Sequence, residues 1–302
     1  MSSTHQPALL VTGASGHMGR RVLDLLLEAQ AGPVIAVTRT PDKLADFAGR
    51  GVSVRHGDFD DPASLPAAFA GADRLLLIST DAVVEPGRRL KQHRAAIQAA
   101  EAAGVGHVLY TSITNASPDS PVQLTPQHFG TEEALRDSSM GWTILRNNVY
   151  TDTLVGTFSR AIQMGTLFHA CGDGKTAYIT REDCAHAAAA ALADGFTGQR
   201  TLDITGPQAL SQADLTQIAS TLAGKPIDCV ALDLEVVIEN MVNAGLPRPA
   251  AEMFASFNTG IAQGVFSEVT DTFETLTGQT PMRVAEFMAG QRDALLNGPP
   301  LG

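Results

Sequence analysis

A short apolar run, Ala8-Leu9-Leu10-Val11-Thr12, leads directly into Gly13-Ala14-Ser15-Gly16-His17-Met18-Gly19 and then into Arg20-Arg21-Val22-Leu23-Asp24-Leu25-Leu26-Leu27. Few folds need such a junction. A strand must stop, the chain must reverse tightly, and a helix must start with its first N–H groups pointing outward. Gly13 permits the turn, Gly16 lets a pyrophosphate approach the backbone, and Gly19 lets helix and strand pack closely. A glycine triplet alone is a weak signal. The strand before it and the helix after it make this one a phosphate-binding turn. The spacing is G-x-x-G-x-x-G, not the G-x-G-x-x-G of ordinary dehydrogenases.

The next strand discriminates between cofactors. Val34-Ile35-Ala36-Val37-Thr38 is apolar and β-branched and reads as buried. In an NAD site the end of this strand usually carries an acid that accepts from the ribose 2′-hydroxyl. Here Arg39 stands in that place, followed by Thr40, Pro41, Asp42 and Lys43. A guanidinium grips a phosphate through two parallel hydrogen bonds, and no acid is present to repel it. The expected cofactor is therefore NADPH. Lys43 reads as helix surface that can add to the phosphate field.

The chain has 302 residues and is 44% hydrophobic, enough for one large domain or a domain with an appended lobe. A net charge of −11 argues against a nucleic-acid surface. No apolar run is long enough for a membrane span, and Met1 to Gln6 lacks a signal-peptide core. Cys171, Cys184 and Cys229 are odd in number and scattered, which suits neither a disulfide framework nor a zinc site. The histidines show no metal spacing. These features lead us to expect a cytoplasmic protein with reduced thiols and no metal. Its partner would be a small-molecule acceptor; nucleic acid and membrane are not expected. A homodimer is left open.

Strand and helix patterns alternate along the chain. Further strands are predicted at 53–56, 74–79, 107–111, 143–146 and 201–204. Helices are predicted at 63–69, 86–103, 125–138, 152–163, 182–193 and, capped by Ser211, to about 222. This implies an α/β fold: a Rossmann-type doubly wound parallel sheet with a smaller, mostly helical C-terminal substrate lobe. Residues 1–150, with about 176–205, are expected to form the NADP-binding domain. Residues 151–175 and 206–302 are expected to form the lobe. Within the lobe the Asn240 to Phe257 stretch could be an apolar lid, though such a stripe is more often core or a subunit contact. Gly172-Asp173-Gly174-Lys175 reads as a flexible loop, and Asn297 to Pro300 as a frayed tail.

The glycine turn, the Gly57-Asp58 pair and Arg146-Asn147-Asn148-Val149-Tyr150 together resemble the atypical short-chain reductases of the NmrA-like group. Within that group the chain looks closest to the short-chain NADPH:quinone oxidoreductases and the triphenylmethane reductases of bacteria. Tyr110-Thr111-Ser112, His128 with Thr131-Glu132, the Ala170 to Lys175 loop and Thr180-Arg181-x-Asp183 extend the likeness over most of the chain. The resemblance implies that Gly13, Ala14, Ser15, Gly16, His17, Met18 and Gly19 hold the pyrophosphate and Arg39 the 2′-phosphate. It implies that Asp58 and Phe59 flank adenine, that Ile78, Ser79 and Thr80 line the ribose, and that Asn148, Val149, Tyr150 and Asp152 surround the nicotinamide. The chain departs from the quinone-reductase pattern at Glu133, where that pattern carries Lys, and at Asn148, where it carries Gly.

Ordinary short-chain dehydrogenases shuttle a proton with a Tyr whose pKa is lowered by a Lys four residues on. The residues four positions after the tyrosines here are Thr114, Leu154 and Glu182, so no such pair exists. Candidate proton donors are His128, Tyr150 and Ser112, each with an equally simple structural role. Lys175 could close over a substrate, and Asp183 reads as an acid at a helix N-terminus. Three functions fit. The first is hydride transfer to a quinone or similar acceptor that needs no strong internal acid. The second is a non-catalytic NADP(H) sensor. The third is a carbonyl or double-bond reductase of an aromatic metabolite.

Overall fold

The computed structural model describes residues 6–83, 85 and 87–298. Pro86, where the long helix was expected to begin, and Pro299 and Pro300 of the expected tail lie outside the described residues, as do residues 1–5.

In chain order the elements are β1 Leu9–Val11, α1 His17–Glu28, β2 Val34–Thr38, α2 Ala45–Ala48, β3 Ser53–His56, α3 Leu65–Phe69, β4 Arg74–Leu77 and α4 Arg88–Ala102. They continue with β5 His107–Ile113, α5 Thr125–Arg136, β6 Gly141–Asn147, α6 Leu154–Met164, β7 Thr166–His169, β8 Lys175–Thr176, α7 Arg181–Ala193 and β9 Gln199–Ile204. The last are β10 Leu210–Ser211, α8 Gln212–Ala223, β11 Asp228–Ala231, α9 Leu234–Asn243, α10 Arg248–Ala262, α11 Thr272–Thr277, α12 Val284–Gly290 and α13 Arg292–Leu296.

The main sheet has seven strands in the order β3-β2-β1-β4-β5-β6-β9. β1 lies between β2 and β4 in parallel register, with Leu10 opposite both Ile35 and Leu75. Such a strand is covered on both faces, which explains its unbroken apolar sequence. Strand order reverses between β1 and β4, the kind of crevice in which open α/β sheets bind ligands. The Rossmann-type expectation is borne out.

The chain divides into two compact units. The first comprises Met1–Ile113, Gln127–Arg146 and Cys184–Leu202. Its core gathers Leu10, Val37, Phe69, Leu75, Tyr110 and Ile144. Arg74, buried at the start of β4, donates to the carbonyls of Ala191, Leu192 and Phe196 and so caps the end of α7. The second unit comprises Thr114–Pro126, Asn147–Asp183 and Asp203–Gly302. Its core packs Leu154, Phe158, Tyr178, Leu215 and Met288. Ser211 caps α8 in a capping box with Asp214, as its sequence suggested.

Three local readings change. The helix expected from Asp152 begins at Leu154. Thr151–Thr153 form a 3-10 turn in which the Thr153 N–H bonds the Tyr150 carbonyl three residues back. The second unit holds two small sheets that the sequence did not announce, β7 with β11 and β8 with β10. Every residue of β11 is exposed, so no apolar alternation marks it. The Gly172 to Lys175 loop is held closely at Gly174, where a Cβ would lie 2.1 Å from the Ile261 carbonyl oxygen, and Lys175 opens β8. The Asn240 to Phe257 stripe is partly core, as its sequence favoured. Ile238, Ala251 and Ala255 join α9 to α10, Phe257 stacks on Phe266 at 5.8 Å, and Phe254 faces solvent.

Candidate functional site

The glycine turn belongs to the first unit. Gly13 adopts φ +59°, a conformation that favours glycine, and the Gly16 N–H closes the turn on the Gly13 carbonyl at 3.0 Å. Gly19 has the strictest need. A Cβ there would lie 2.4 Å from the Gly13 oxygen and 2.7 Å from the Ala14 Cα. The first intrahelical bond of α1 runs from Arg20 to Gly16. The N–H groups of His17, Met18 and Gly19 therefore have no acceptor within the helix. Gly16 provides no side-chain cap, and the first turn carries no acid. Gly13, Gly16 and His17 are exposed, whereas Ala14 and Met18 are buried beneath them. The turn has the backbone donors and positive dipole end that an anion needs, with no carboxylate competing.

The loops after β2, β3 and β4 are held by side chains around this turn. Ser15 and Thr38 share a hydrogen bond of 2.8 Å, which ties the turn to the end of β2. Arg39 follows, exposed, and its guanidinium has no hydrogen bond or ion pair among the described residues. Lys43 is exposed in a 3-10 turn, its carbonyl taken by Arg20. After β3, the Asp58 N–H and carbonyl both bond the Ser64 hydroxyl, and Phe59 packs on the core. After β4, the Ile78 N–H bonds Thr12 Oγ1 at 3.1 Å and the Ser79 N–H bonds Thr111 Oγ1 at 2.8 Å. The Thr80 N–H bonds His93 Nε2 at 3.1 Å, and its hydroxyl donates to Gln92. Thr12 and Thr111 lay within the quoted motifs without a role of their own, and His93, inside α4, was not singled out.

Two of the three candidate proton donors are committed inside the first unit. Ser112 donates to Glu132 Oε1 at 2.7 Å. Glu132 is fully buried and takes a two-point bond from Arg146, at 2.9 and 2.7 Å, and another from Arg136 at 2.8 Å. His128 Nδ1 lies 2.8 Å from the Tyr110 hydroxyl. Burial, aided by the Arg89 charge, holds His128 well below the usual imidazole range. His93 is also held down, to about 3, by burial and then by Arg89. Since His93 Nε2 accepts from Thr80, its Nδ1 carries the proton and donates to Thr131 Oγ1 at 2.9 Å. Both imidazoles are neutral spacers at neutral pH.

The third candidate belongs to the second unit. Asn147 Nδ2 donates to the Tyr150 phenol oxygen at 3.2 Å. The Arg181 guanidinium lies 5.1 Å from the Tyr150 ring centroid, and Asp152 accepts the Arg181 N–H at 2.9 Å. Val149 pairs with Ile179 through the backbone. Asn148 uses its whole carboxamide internally: Nδ2 donates to the Phe266 carbonyl and Oδ1 accepts the Val149 N–H. Lys175 is exposed, paired in register with Ser211, and its charge acts on Asp214. Asp183 does more than face a helix dipole. It accepts from the Thr180 hydroxyl and the Met282 N–H. The sequence did not single out Asn147 or Arg181 for a role of their own, although both lay within the quoted motifs.

The turn in the first unit fits a dinucleotide: a glycine cradle that a Cβ would fill, an uncapped helix start and an unpaired guanidinium after β2. Comparisons with known proteins agree. Residues 13–195 match a family model described as NAD(P)H-binding. The chain is 34% identical over 285 residues to quinone oxidoreductase 2 of Escherichia coli, covering 93% of this chain and 97% of that protein. It is 31% identical over 280 residues to an NAD(P)H azoreductase of Xenophilus azovorans, covering 92% and 96%. Among solved structures, an NADPH-dependent quinone oxidoreductase of E. coli complexed with NADPH superposes with a TM-score of 0.88 at 33% identity, covering 93% of this chain and 99% of that one. A triphenylmethane reductase of Citrobacter sp. complexed with NADP(H) gives 0.86 at 33%, covering 94% and 99%. The resemblance to NmrA-like reductases is borne out.

Proposed function

The chain belongs to the NAD(P)H-binding family and is an NADPH-dependent oxidoreductase; on that premise we propose that it passes hydride to a quinone or a similar conjugated acceptor without a Tyr–Lys pair. The observation that carries the cofactor half is Arg39, unpaired and exposed where an NAD site would hold an acid. The cofactor, when bound, supplies the hydride. The protein's own residues bind and orient. The His17, Met18 and Gly19 amides would hold the pyrophosphate, Arg39 the 2′-phosphate, and Asp58 with Phe59 the adenine. Thr12, Thr111 and His93 fix the Ile78 to Thr80 backbone, which would hold the ribose.

The commitments of Ser112 and His128 support the acceptor half. Neither group is placed to act as an acid. Glu132 occupies the Ser112 proton, and His128 is buried neutral. A carbonyl that needs strong internal protonation is a poor match for such a site. A quinone accepts hydride readily, and its quinol anion is a modest base, so orientation supplies most of the catalysis. The quinone and dye reductases among the relatives support this choice over the carbonyl reading.

The test is loss of the reduced-nicotinamide absorbance with a panel of quinones, ketones and triarylmethane dyes. Turnover is expected with quinones and dyes and not with simple ketones. Tight NADP+ binding without turnover on any acceptor would replace this reading with the cofactor sensor.

A further inference from the structure

Thr38 of β2 stands opposite His56 of β3, and the Gly57 N–H bonds the Thr38 carbonyl at 3.2 Å. Arg39 and the loop 57–60 therefore leave the sheet side by side at the same edge. The Asp60 N–H bonds Asp58 Oδ1 at 3.0 Å, a local turn that fixes where the Asp60 side chain starts. The Asp60 carboxyl is held below the ordinary carboxylate range, first by hydrogen bonds from Arg88 and Gln92 and last by the charge of Arg39. Arg39 and Asp60 are thus exposed and within electrostatic reach of each other, yet Arg39 makes no hydrogen bond or ion pair among the described residues.

Asp60 is held instead by Arg88, the first residue of α4. Arg88 Nε and Nη2 donate to its two oxygens at 3.3 and 2.7 Å, and Nη1 donates to Glu85 at 2.5 Å. One guanidinium so engages two carboxylates, the fork geometry for which arginine is suited. Gln92, buried one turn further along α4, also accepts the Thr80 hydroxyl at 2.7 Å. All of these residues belong to the first unit. The Arg88–Asp60 pair does little for the fold: its side chains are 40% and 38% exposed, and pairs so exposed contribute little to stability. Its consequence is local. A carboxylate that would offer Arg39 a partner, and repel a phosphate, is already answered.

We propose that Arg88 sets the preference for the phosphorylated cofactor: by holding Asp60 it leaves the Arg39 guanidinium free for the 2′-phosphate. This rests on the reading of Arg39 above. Arg88 acts through Asp60 and is a positioning residue. Its effect is selective, because only a dinucleotide with a 2′-phosphate needs Arg39. An Arg39 that spends part of its time on Asp60 lowers the apparent affinity for NADPH by the fraction of time it is free. NADH asks nothing of Arg39 and is indifferent to that pairing.

The test is fluorescence titration of the full-length protein with NADPH and with NADH, which reads binding rather than turnover. Arg88→Met is expected to weaken NADPH binding about fivefold as Arg39 pairs with the released Asp60, with NADH binding unchanged within about twofold. Asp60→Asn, which removes the competing charge, should bind NADPH at least as well as the wild type. Adding Asp60→Asn to Arg88→Met should restore NADPH binding to within about twofold of the wild type. Equal losses for NADPH and NADH in Arg88→Met would make Arg88 a support of the fold and overturn the proposal. A double variant as weak as Arg88→Met would overturn it too, since Arg88 would then act on the phosphate directly. Wild-type NADPH binding by Arg88→Met would overturn it as well. The reading of Arg39 fails separately: if Arg39→Ala leaves NADPH binding unchanged, the 2′-phosphate lies elsewhere, and this proposal falls with that reading.

Discussion

Two residues bear most of the cofactor argument, and each can be tested by itself. Arg39 has no hydrogen bond or ion pair among the described residues and only a weak charge effect on Asp60, so its removal should cost the fold little and a bound 2′-phosphate much. A charged hydrogen-bonded contact is worth about 1.5–3 kcal/mol. Arg39→Ala should therefore weaken NADPH binding at least about tenfold in a fluorescence titration, while NADH binding stays as it was. A change within about twofold would remove the 2′-phosphate from this position. Gly19 acts through space rather than charge. A methyl group 2.4 Å from the Gly13 oxygen must push α1 away from the turn. Gly19→Ala should cost about 1–3 kcal/mol in urea unfolding and weaken cofactor binding as well. The role of Gly19 was legible in the sequence because the three glycines are local to one turn. The freedom of Arg39 was not, because an unpaired cation is defined by everything that fails to reach it.

At the scale of elements, α5 is the informative one. His128 and Glu132 lie four residues apart on one face of the helix, the spacing at which ordinary short-chain dehydrogenases carry Tyr and Lys. The spacing was readable, but what that face meets was not. It meets Tyr110 and Ser112 of β5 and Arg146 of β6, which turn it into an internal joint. Glu132→Gln should cost about 3 kcal/mol in urea unfolding, since two arginines then lose a buried carboxylate. Two buried histidines of the same unit, His93 on α4 and His107 at the start of β5, set the response to pH. The His93 pKa is pushed down from the ordinary imidazole range, near 6.5, to about 3 and that of His107 to about 4, in both mainly through burial. The unfolded chain therefore binds protons that the folded one refuses. Their stabilising contribution is complete above the unfolded value and is lost as pH falls from about 6.5 toward the folded values. Each histidine contributes about 1.4 kcal/mol per pH unit within its window. Urea midpoints should fall between pH 6.5 and pH 4, and His93→Leu should flatten the slope. An unchanged slope in that variant would show that His93 is not buried neutral.

For the whole molecule, cofactor binding should register as stability. A ligand at about one hundred times its Kd adds about 2.7 kcal/mol to the folded state, which in a chain of this size raises Tm by several degrees. NADPH should produce that shift and NADH, at equal concentration, a distinctly smaller one. Equal shifts in a thermal melt would mean that the molecule does not read the 2′-phosphate. At this scale the sequence was most legible in the seven-stranded sheet. Its strands β1, β2 and β4 are nearly continuous apolar runs bounded by turns, and a strand buried on both faces cannot disguise that pattern. The small β7–β11 and β8–β10 sheets left no such trace, because β11 is exposed throughout and β8 and β10 are two residues each.

By itself the sequence determined the strand–helix alternation, the phosphate-binding turn, the absence of an acid after β2 and the absence of a Tyr–Lys pair. Each of these is a property of residues contiguous in the chain, where backbone geometry and steric need act over a few bonds. Only the tertiary structure decided which polar side chains are turned toward chemistry and which toward one another. Ser112 was spoken for by a carboxylate twenty residues on, and the Asn148 carboxamide by a carbonyl 118 residues away. Asn147 was left with a buried side-chain oxygen that no donor among the described residues answers. Hydrogen bonds are short and directional, so their partners are fixed by where the folded chain passes, and composition and spacing carry no record of that.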